Sequence, residues 1–382
     1  MLTGYREKGC NHGKFPRTRK YFFLIGLLFR DALPEKPFLY FWIANRLNDQ
    51  ILMEKEKIAL SVLDLAVVTE GSDAAGAIRR TVDVARHAER EGYIRIWLAE
   101  HHNMAHIASS ATAVLIGHVA GQTRTIRVGS GGVMLPNHAP LAIAEQFGTL
   151  ATLYPGRVDL GLGRAPGTDP LTARALRRSD ADAYDFARSI SELQGYFENK
   201  EENMPIRAFP GEGTDIPLWI LGSSTDSAYI AAEMGLPYAF AAHFAPAQLY
   251  NAIRIYRQHF RPSLQLARPY VLACVNIVGA DTNREAEHLA TSIYQMFLGI
   301  ISNKRRPLQP PVASMEHLWN TQERAAVAHM TGCTFVGDKD TLRGQLRRFV
   351  AETGINELMA STNIYDGEAR LHSFSVLREA LA

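Results

Sequence analysis

Cysteine is scarce in this chain. Three occur among 382 residues, at Cys10, Cys274 and Cys333, and their spacing matches neither a zinc site nor a redox pair. A small secreted protein held together by disulfides is therefore excluded. The scarcity is typical of a reducing compartment, so we expect a cytoplasmic protein without a metal site.

Long apolar stretches are lacking as well. A short apolar run at residues 21–29 follows basic residues at 17–20, an order that resembles a signal peptide, but the run is too short to cross a bilayer. An export signal and an N-terminal extension outside the folded domain are both open explanations, and we favour the extension. We therefore expect residues 1–52 to be disordered or non-native and dispensable, and a folded domain over 53–382 that does not associate with membranes.

A strong charge of one sign is also absent. The formal net charge is +2, from 41 basic and 39 acidic residues. Residues 1–52 hold nine of the basic and four of the acidic side chains, so the rest of the chain is slightly acidic. This balance argues against a nucleic-acid partner. With 47% hydrophobic and 21% charged residues, the composition is that of a soluble enzyme.

From Ile58 onward, short β-rich runs alternate with amphipathic segments, which predicts repeated βα units and a parallel sheet. Eight such runs favour an α/β fold of the TIM (β/α)8 barrel type over an open sheet. The predicted strands are 58–66, 94–99, 126–135, 157–163, 217–222, 237–242, 270–278 and 356–361.

The regular spacing of these units fails between residues 279 and 355, where one connection contains two helical patterns. We interpret residues 279–332 as an insertion between strands 7 and 8. Insertions of this kind usually lie over the barrel mouth as a lid or a docking surface.

Three titratable side chains, Glu100, His101 and His102, follow the second predicted strand. The carboxyl ends of barrel strands are where catalytic residues are expected. A metal site that also includes His106 is one interpretation, but adjacent histidines of a strand point to opposite faces and seldom share an ion. A general base and a hydrogen-bonded polar cluster remain open.

Glycine is concentrated in the third predicted strand, where Gly131 and Gly132 lie side by side. Glycine lets a flat ligand approach the backbone, and it also accommodates a bulge at a barrel corner; both explanations are open. The glycine-rich loop at 161–167 matches a dinucleotide motif poorly.

A phosphate site is suggested after the fourth and fifth predicted strands. Arg164 follows one, and Gly222, Ser223 and Ser224 end the other and open a helix. Arginine and the free N–H groups of a helix start both suit a phosphate. Each position can also be a plain turn, but together they indicate one phosphorylated cofactor.

The chain resembles the bacterial luciferase-like, flavin-dependent monooxygenase family over roughly residues 57–382. Within it, the chain is similar to an uncharacterised oxidoreductase branch. The motifs that match, by order and spacing, are Trp97-Leu-Ala-Glu-His-His102, Val128-Gly-Ser-Gly-Gly-Val-Met-Leu-Pro136 with the following Asn-His, Tyr154-Pro-Gly-Arg157, Gly161-Leu-Gly-Arg164, and the strand-helix unit 218–237.

The resemblance implies a barrel that binds reduced FMN at its mouth and uses O2 to oxidise a small organic substrate, such as an aldehyde or ketone. It implies a separate NAD(P)H-dependent flavin reductase and a homodimer. Two alternatives stay open: hydride transfer with a deazaflavin or flavin and without oxygen, and a non-catalytic flavin-binding protein.

The resemblance also assigns residues. His101 matches the family's active-site histidine, with Glu100 or His102 tuning it, and Arg164 matches the phosphate-binding arginine. It further implies phosphate contacts at Ser223 and Ser224 and a cis peptide bond between Gly131 and Gly132. The chain departs from luciferase at Gly163, where luciferase has a reactive cysteine, and at Ser223, where it has glutamate, so light emission is not expected.

Overall fold

A computed structural model describes residues 58–165, 167–177, 186–198 and 204–382. The predicted extension at 1–52 lies outside the described residues, and its dispensability stays a prediction.

Eight parallel strands close into a barrel, as the sequence predicts. Each of β1 to β5 pairs with the next, β6 pairs with β7, and β9 lies between β7 and β1. The strands are β1 (Ala59–Asp64), β2 (Arg95–Leu98), β3 (Arg127–Met134), β4 (Val158–Gly163), β5 (Leu218–Gly222), β6 (Tyr238–Ala241), β7 (Val271–Gly279), β8 (Thr334–Gly337) and β9 (Glu357–Ser361).

Helices surround the sheet. They are α1 (Ala74–Arg90), α2 (Thr112–Gly121), α3 (Pro140–Leu153), α4 (Pro170–Ala175), α5 (Phe186–Phe197), α6 (Thr225–Glu233), α7 (Leu249–His259), α8 (Asn283–Ile301), α9 (Thr321–Met330), α10 (Lys339–Thr353) and α11 (Gly367–Ala380). Within the described residues, no helix combines the length and apolar character that a membrane crossing requires.

The first helix shows how the sequence sets these elements. The Asp73 carboxylate caps α1 by accepting the Gly76 N–H at 2.7 Å, and Ala77, Val84 and Ala88 are buried on the helix face. The helix begins after Asp73 because the capping carboxylate binds the Gly76 N–H, which has no hydrogen-bond partner inside the helix.

The region between β7 and the eighth barrel strand differs from the sequence-based expectation. The sequence predicts two helices there, but the structure adds the short strand β8 and the helix α10. Strand β8 pairs in parallel with the extended end of β7, from Asn276 opposite Thr334 to Gly279 opposite Gly337. Residues Thr334 to Val336 are only partly buried, so β8 lacks the continuous buried apolar run by which the other strands of the barrel are recognised.

Aromatic and charged side chains fill the barrel interior. Trp97 and Trp219 pack edge to face with ring centroids 5.1 Å apart, and Leu272 and Met359 belong to the same buried cluster. The Arg95 guanidinium lies 4.7 Å from the Trp219 ring, at a cation–π distance.

Buried charges near the amino ends of the strands are paired. Arg95 donates to Asp159 at 2.6 Å and to Glu357 at 2.9 Å. Arg127 contacts the second oxygen of Asp159 at 2.5 Å, and the Tyr270 hydroxyl donates to Glu357 at 2.9 Å. Burial raises the pKa of Glu357, and Arg95 opposes that rise. An ion-pair network therefore closes the amino end of the barrel.

Candidate active site

The chain leaves β2 at Leu98 and crosses the carboxyl end of the barrel. The His101 N–H donates to the Ser109 carbonyl at 2.9 Å, and the His102 N–H donates to the Gly167 carbonyl at 3.4 Å. The Ser109 hydroxyl in turn donates to the carbonyl of Ala99. These bonds hold the three titratable side chains at the barrel mouth, where the parallel strands end.

Glu100 is the centre of a hydrogen-bond network. Its side chain is 2% exposed and accepts from His102 Nε2 at 2.9 Å, His138 Nε2 at 3.0 Å and the Met134 N–H at 3.2 Å. Burial opposes ionisation, but these bonds outweigh it and lower the pKa of Glu100. The carboxylate is thus ionised and fully engaged.

The arrangement changes the roles that the sequence suggests. Glu100 and His102 contact each other and His138 rather than the His101 ring. His138 was not singled out by sequence reasoning, although it ends the glycine-rich motif of the third strand. Its place four residues after β3 was the available signal.

Glu100, His102 and His138 also present one ligand atom each within 4.8 Å of one another, which is close enough for a shared metal ion. The contacts of Glu100 to both imidazoles have ordinary hydrogen-bond lengths. The cluster shares Glu100 and His102 with the metal site considered from the sequence, adds His138, and does not include His101 or His106.

Among the described residues, no hydrogen bond joins the His101 ring to this network. The His101 Nδ1 lies 3.3 Å from the Gly167 carbonyl, which assigns the proton to Nδ1 and leaves Nε2 as an acceptor. Burial lowers the pKa of His101, and the Gly167 bond and Glu100 only partly offset this. A neutral imidazole with a free acceptor nitrogen can act as a base near pH 7.

A second imidazole, His243, lies near His101 and was missed by sequence reasoning. Its Nδ1 is buried and has no hydrogen-bond partner among the described residues, although the residue as a whole is partly exposed. The Asn276 amide fixes the backbone here by donating to the His243 carbonyl at 2.5 Å. Burial lowers the pKa of His243 to about 3, and His101 adds to this shift. Its position two residues after β6 was the signal.

The glycines of β3 are explained by close packing. A Cβ on Gly131 would lie 2.7 Å from Leu63 Cδ1, and one on Gly132 would lie 2.8 Å from the Gly161 carbonyl oxygen. The register with β4 shifts between Gly131 and Val133, at the position where the sequence left a bulge and a close ligand approach open. The Gly131–Gly132 peptide bond is cis, as the resemblance implied. Gly131 remains partly exposed at the mouth.

Arg164 and the start of α6 lie together, as the sequence suggests. Arg164 Nη2 is 3.0 Å from Asp226 Oδ2, in the first turn of α6. Ser224 is the N-cap residue of α6, but its side chain makes no capping hydrogen bond. Packing favours glycine at position 222, because a Cβ on Gly222 would lie 2.0 Å from Ser227 Oγ. The region thus provides the Arg164 guanidinium and the N–H groups at the start of α6. A bound anion would have to displace the Asp226 carboxylate from Arg164.

A cavity of about 450 Å³ opens between α2 and α3. Apolar side chains such as Val114, Ile143 and Leu150 line most of it, and Glu100 and His138 reach its wall. No lining residue follows β4, β5 or β6, where the phosphate-site residues and the second imidazole lie. The cavity therefore borders the Glu100 network and is separate from the phosphate-site side of the mouth.

Comparison with known proteins identifies the family. Residues 58–357 match the family model of luciferase-like monooxygenases. The chain belongs to this family. The resemblance found in the motifs is thereby confirmed.

Two relatives align with this chain over nearly their whole length. A luciferase-like monooxygenase of Escherichia coli (strain K12) is 50% identical over 325 residues, which cover 85% of this chain and 97% of that protein. The N-acetyl-S-alkylcysteine monooxygenase of Bacillus subtilis (strain 168) is 31% identical over 331 residues, which cover 85% of this chain and 98% of that protein.

Solved structures share the barrel. Apo-MsnO8 is 34% identical with a TM-score of 0.79, over 85% of this chain and 98% of that chain. The oxygenating constituent of 3,6-diketocamphane monooxygenase from Pseudomonas putida, in complex with FMN, is 16% identical with a TM-score of 0.67. The match covers 85% of this chain and 97% of that chain. An F420-dependent secondary alcohol dehydrogenase is 15% identical with a TM-score of 0.64, over 86% and 100%. The last two show likeness of fold.

Proposed function

We propose that this protein uses reduced FMN and O2 to oxygenate a small organic substrate at the barrel mouth. The observation that carries the proposal is the neutral imidazole of His101, which is partly buried just after β2 and whose Nδ1–H bond to Gly167 leaves Nε2 as an acceptor. Membership of a monooxygenase family supports the reaction type. The fold shared with an FMN complex supports the cofactor.

The residues at the mouth fit a flavin phosphate on one side. Arg164 would move from Asp226 to the phosphate, and the N–H groups at the start of α6 would bind it together with the Ser223 and Ser224 hydroxyls. Neither hydroxyl makes a hydrogen bond within the described part of the chain. Gly131 is partly exposed at the mouth and carries no side chain, so its backbone is accessible to a flat ring system.

Reduced FMN, when bound, supplies the electrons that activate O2. His101 would take or return a proton at Nε2, while its Nδ1–H bond to the Gly167 carbonyl fixes the ring orientation. Glu100 acts as a positioning residue, because its bonds to His102, His138 and the Met134 N–H hold the loop beside His101. His243 adds a second neutral imidazole near His101.

The protein would receive reduced FMN from a separate NAD(P)H-dependent reductase and work as a cytoplasmic homodimer. We propose aldehydes and ketones as the first substrates to screen. S-alkylated N-acetylcysteines join the panel because a relative is named for its action on them.

The test supplies reduced FMN with an unrelated reductase under ¹⁸O2 and searches for products that contain one ¹⁸O atom by mass spectrometry. A labelled product that requires both the protein and reduced FMN supports the proposal. Turnover in the absence of oxygen with a deazaflavin would instead identify a hydride-transfer enzyme. Tight retention of FMN without any turnover would identify a flavin-binding protein.

A further inference from the structure

Three chain segments join to form a rim beside the barrel mouth, made of residues 66–70, 104–108 and 304–309. The Leu308 N–H donates to the Val68 carbonyl at 2.8 Å, and the Leu308 carbonyl accepts the Glu70 N–H at 2.9 Å. The Val68 N–H donates to the carbonyl of His106 at 2.9 Å. The connection that follows α8 is thus fixed to the loop after β1, at the carboxyl end of the barrel.

This pairing places Arg305 beside the candidate base. Its Nη1 lies 3.9 Å from Met104 Sδ, on the segment that follows His101 and His102. Arg305 is also near enough to His101 and His106 to contribute, after burial, to lowering the pKa of both. The guanidinium therefore lies on the rim of the mouth, beside the segment that carries His101.

Within the part of the chain that the structure describes, the cations of the rim have no acidic partner. Lys304, Arg305 and Arg306 are exposed, and none of them forms an ion pair with a carboxylate of the described residues. Glu70, a carboxylate on the same rim, accepts instead from the Gln309 amide at 3.0 Å. An anion that reaches Arg305 would therefore gain a charge-assisted contact without breaking an existing ion pair.

We propose that Arg305 binds an anionic group of the substrate, so that the protein selects organic molecules with a carboxylate at the end remote from the reacting carbon. This rests on the proposed function for the oxygenation step. The cofactor phosphate is assigned elsewhere: Arg164 follows β4, and β2 and β3 separate β4 from β1, whose loop holds the Arg305 segment. One anion would thus bind on each side of the mouth.

The test compares octanoate with octanamide, which have the same chain and differ in charge. Their affinities for the full-length protein are measured by calorimetry at pH 7.5, alone and with reduced FMN under anaerobic conditions. We expect wild-type protein to prefer octanoate by about tenfold, since the contact is partly exposed to solvent. Arg305→Gln should abolish the preference, and the charge-matched control Arg306→Gln should retain it.

Three results would overturn the proposal. One is equal affinity of wild-type protein for the two probes. Another is an equal loss of preference in the Arg305 and Arg306 variants, since a diffuse positive field would then explain it. The third is weaker binding of reduced FMN to Arg305→Gln, which would assign Arg305 to the cofactor phosphate. Because no turnover is measured, a protein that fails to oxygenate any substrate would refute the proposed function and leave this result unaffected.

Discussion

The two ends of the barrel differ in their buried polar side chains: the amino end holds charged pairs, and the carboxyl end holds, beside the Glu100 network, uncharged groups without partners among the described residues. At the amino end, Arg95 and Arg127 are paired with buried carboxylates at hydrogen-bond distance. At the carboxyl end, His243 Nδ1, Asn276 Oδ1 and Thr362 Oγ1 are buried without hydrogen-bond partners among the described residues.

This difference follows from what each end must do. Buried polar groups cost free energy unless they are bonded, so a paired network stabilises the closed end. Groups left unpaired at the open end are available to a ligand, and in barrels of this type the open end is where chemistry occurs. Substitutions at the amino end should therefore alter folding, and those at the carboxyl end should alter binding or turnover.

The largest expected effect is on turnover, from His101→Ala. Loss of the acceptor nitrogen should lower product formation by about 10²–10⁴-fold and change the free energy of unfolding by less than about 1 kcal/mol. His102→Ala is the matched comparison, and its effect should be smaller because the His102 Nε2 is already bonded to Glu100. Single-turnover yield from a preformed reduced complex is the measurement. Equal impairment of the two variants would show that His101 is not the base.

Arg95→Ala should have the opposite profile. Removal of one partner from a buried network should lower the free energy of unfolding by about 3–5 kcal/mol, because Asp159 and Glu357 would keep their burial and lose their cation. Denaturant unfolding gives this value, with Arg343→Ala in an exposed pair as the control. Reduced FMN affinity of the folded variant should be unchanged. A loss of stability below about 1 kcal/mol would remove the contrast between the two ends.

Arg164→Ala should weaken reduced FMN binding by about ten- to a hundredfold, the worth of a charge-assisted phosphate contact. The substitution should leave the fold intact, because Asp226, the ion-pair partner of Arg164, is exposed and an exposed ion pair contributes little to the free energy of unfolding. Anaerobic titration of reduced FMN measures the change. Unchanged affinity would move the phosphate site to another part of the mouth.

The smallest expected effect is a pH dependence at the amino end. Glu89 accepts the N–H groups of Arg124, Thr125 and Ile126, just before β3. Burial opposes ionisation, but these bonds outweigh it and lower the pKa of Glu89 from 4.5 to about 2. Its stabilisation is therefore present above pH 4.5 and is lost as the pH falls towards 2.

Glu89→Gln should cost about 1 kcal/mol at neutral pH, after allowance for solvent screening, and almost nothing near pH 2. Unfolding followed as a function of pH measures this, with the exposed Glu379→Gln as the control. A stability difference that does not change with pH would show that the Glu89 bonds do not depend on its charge.

The sequence by itself determined the barrel and the position of the titratable motif. Alternation of β-rich and amphipathic segments is a local property, so eight strands and their order could be predicted, and Glu100, His101 and His102 could be placed at a strand end. The four-residue strand β8 could not, because it exists only through its pairing with β7.

Only the tertiary structure decided which side chains meet. The contact of Glu100 with His138, 38 positions later, and the nearness of His243 and Arg305 to His101 join segments far apart in sequence. The structure also separated His101 from His102, two adjacent residues of the same type. Strand patterns report burial one residue at a time, whereas hydrogen bonds and charges act between whichever atoms the closed barrel brings within a few ångströms of each other.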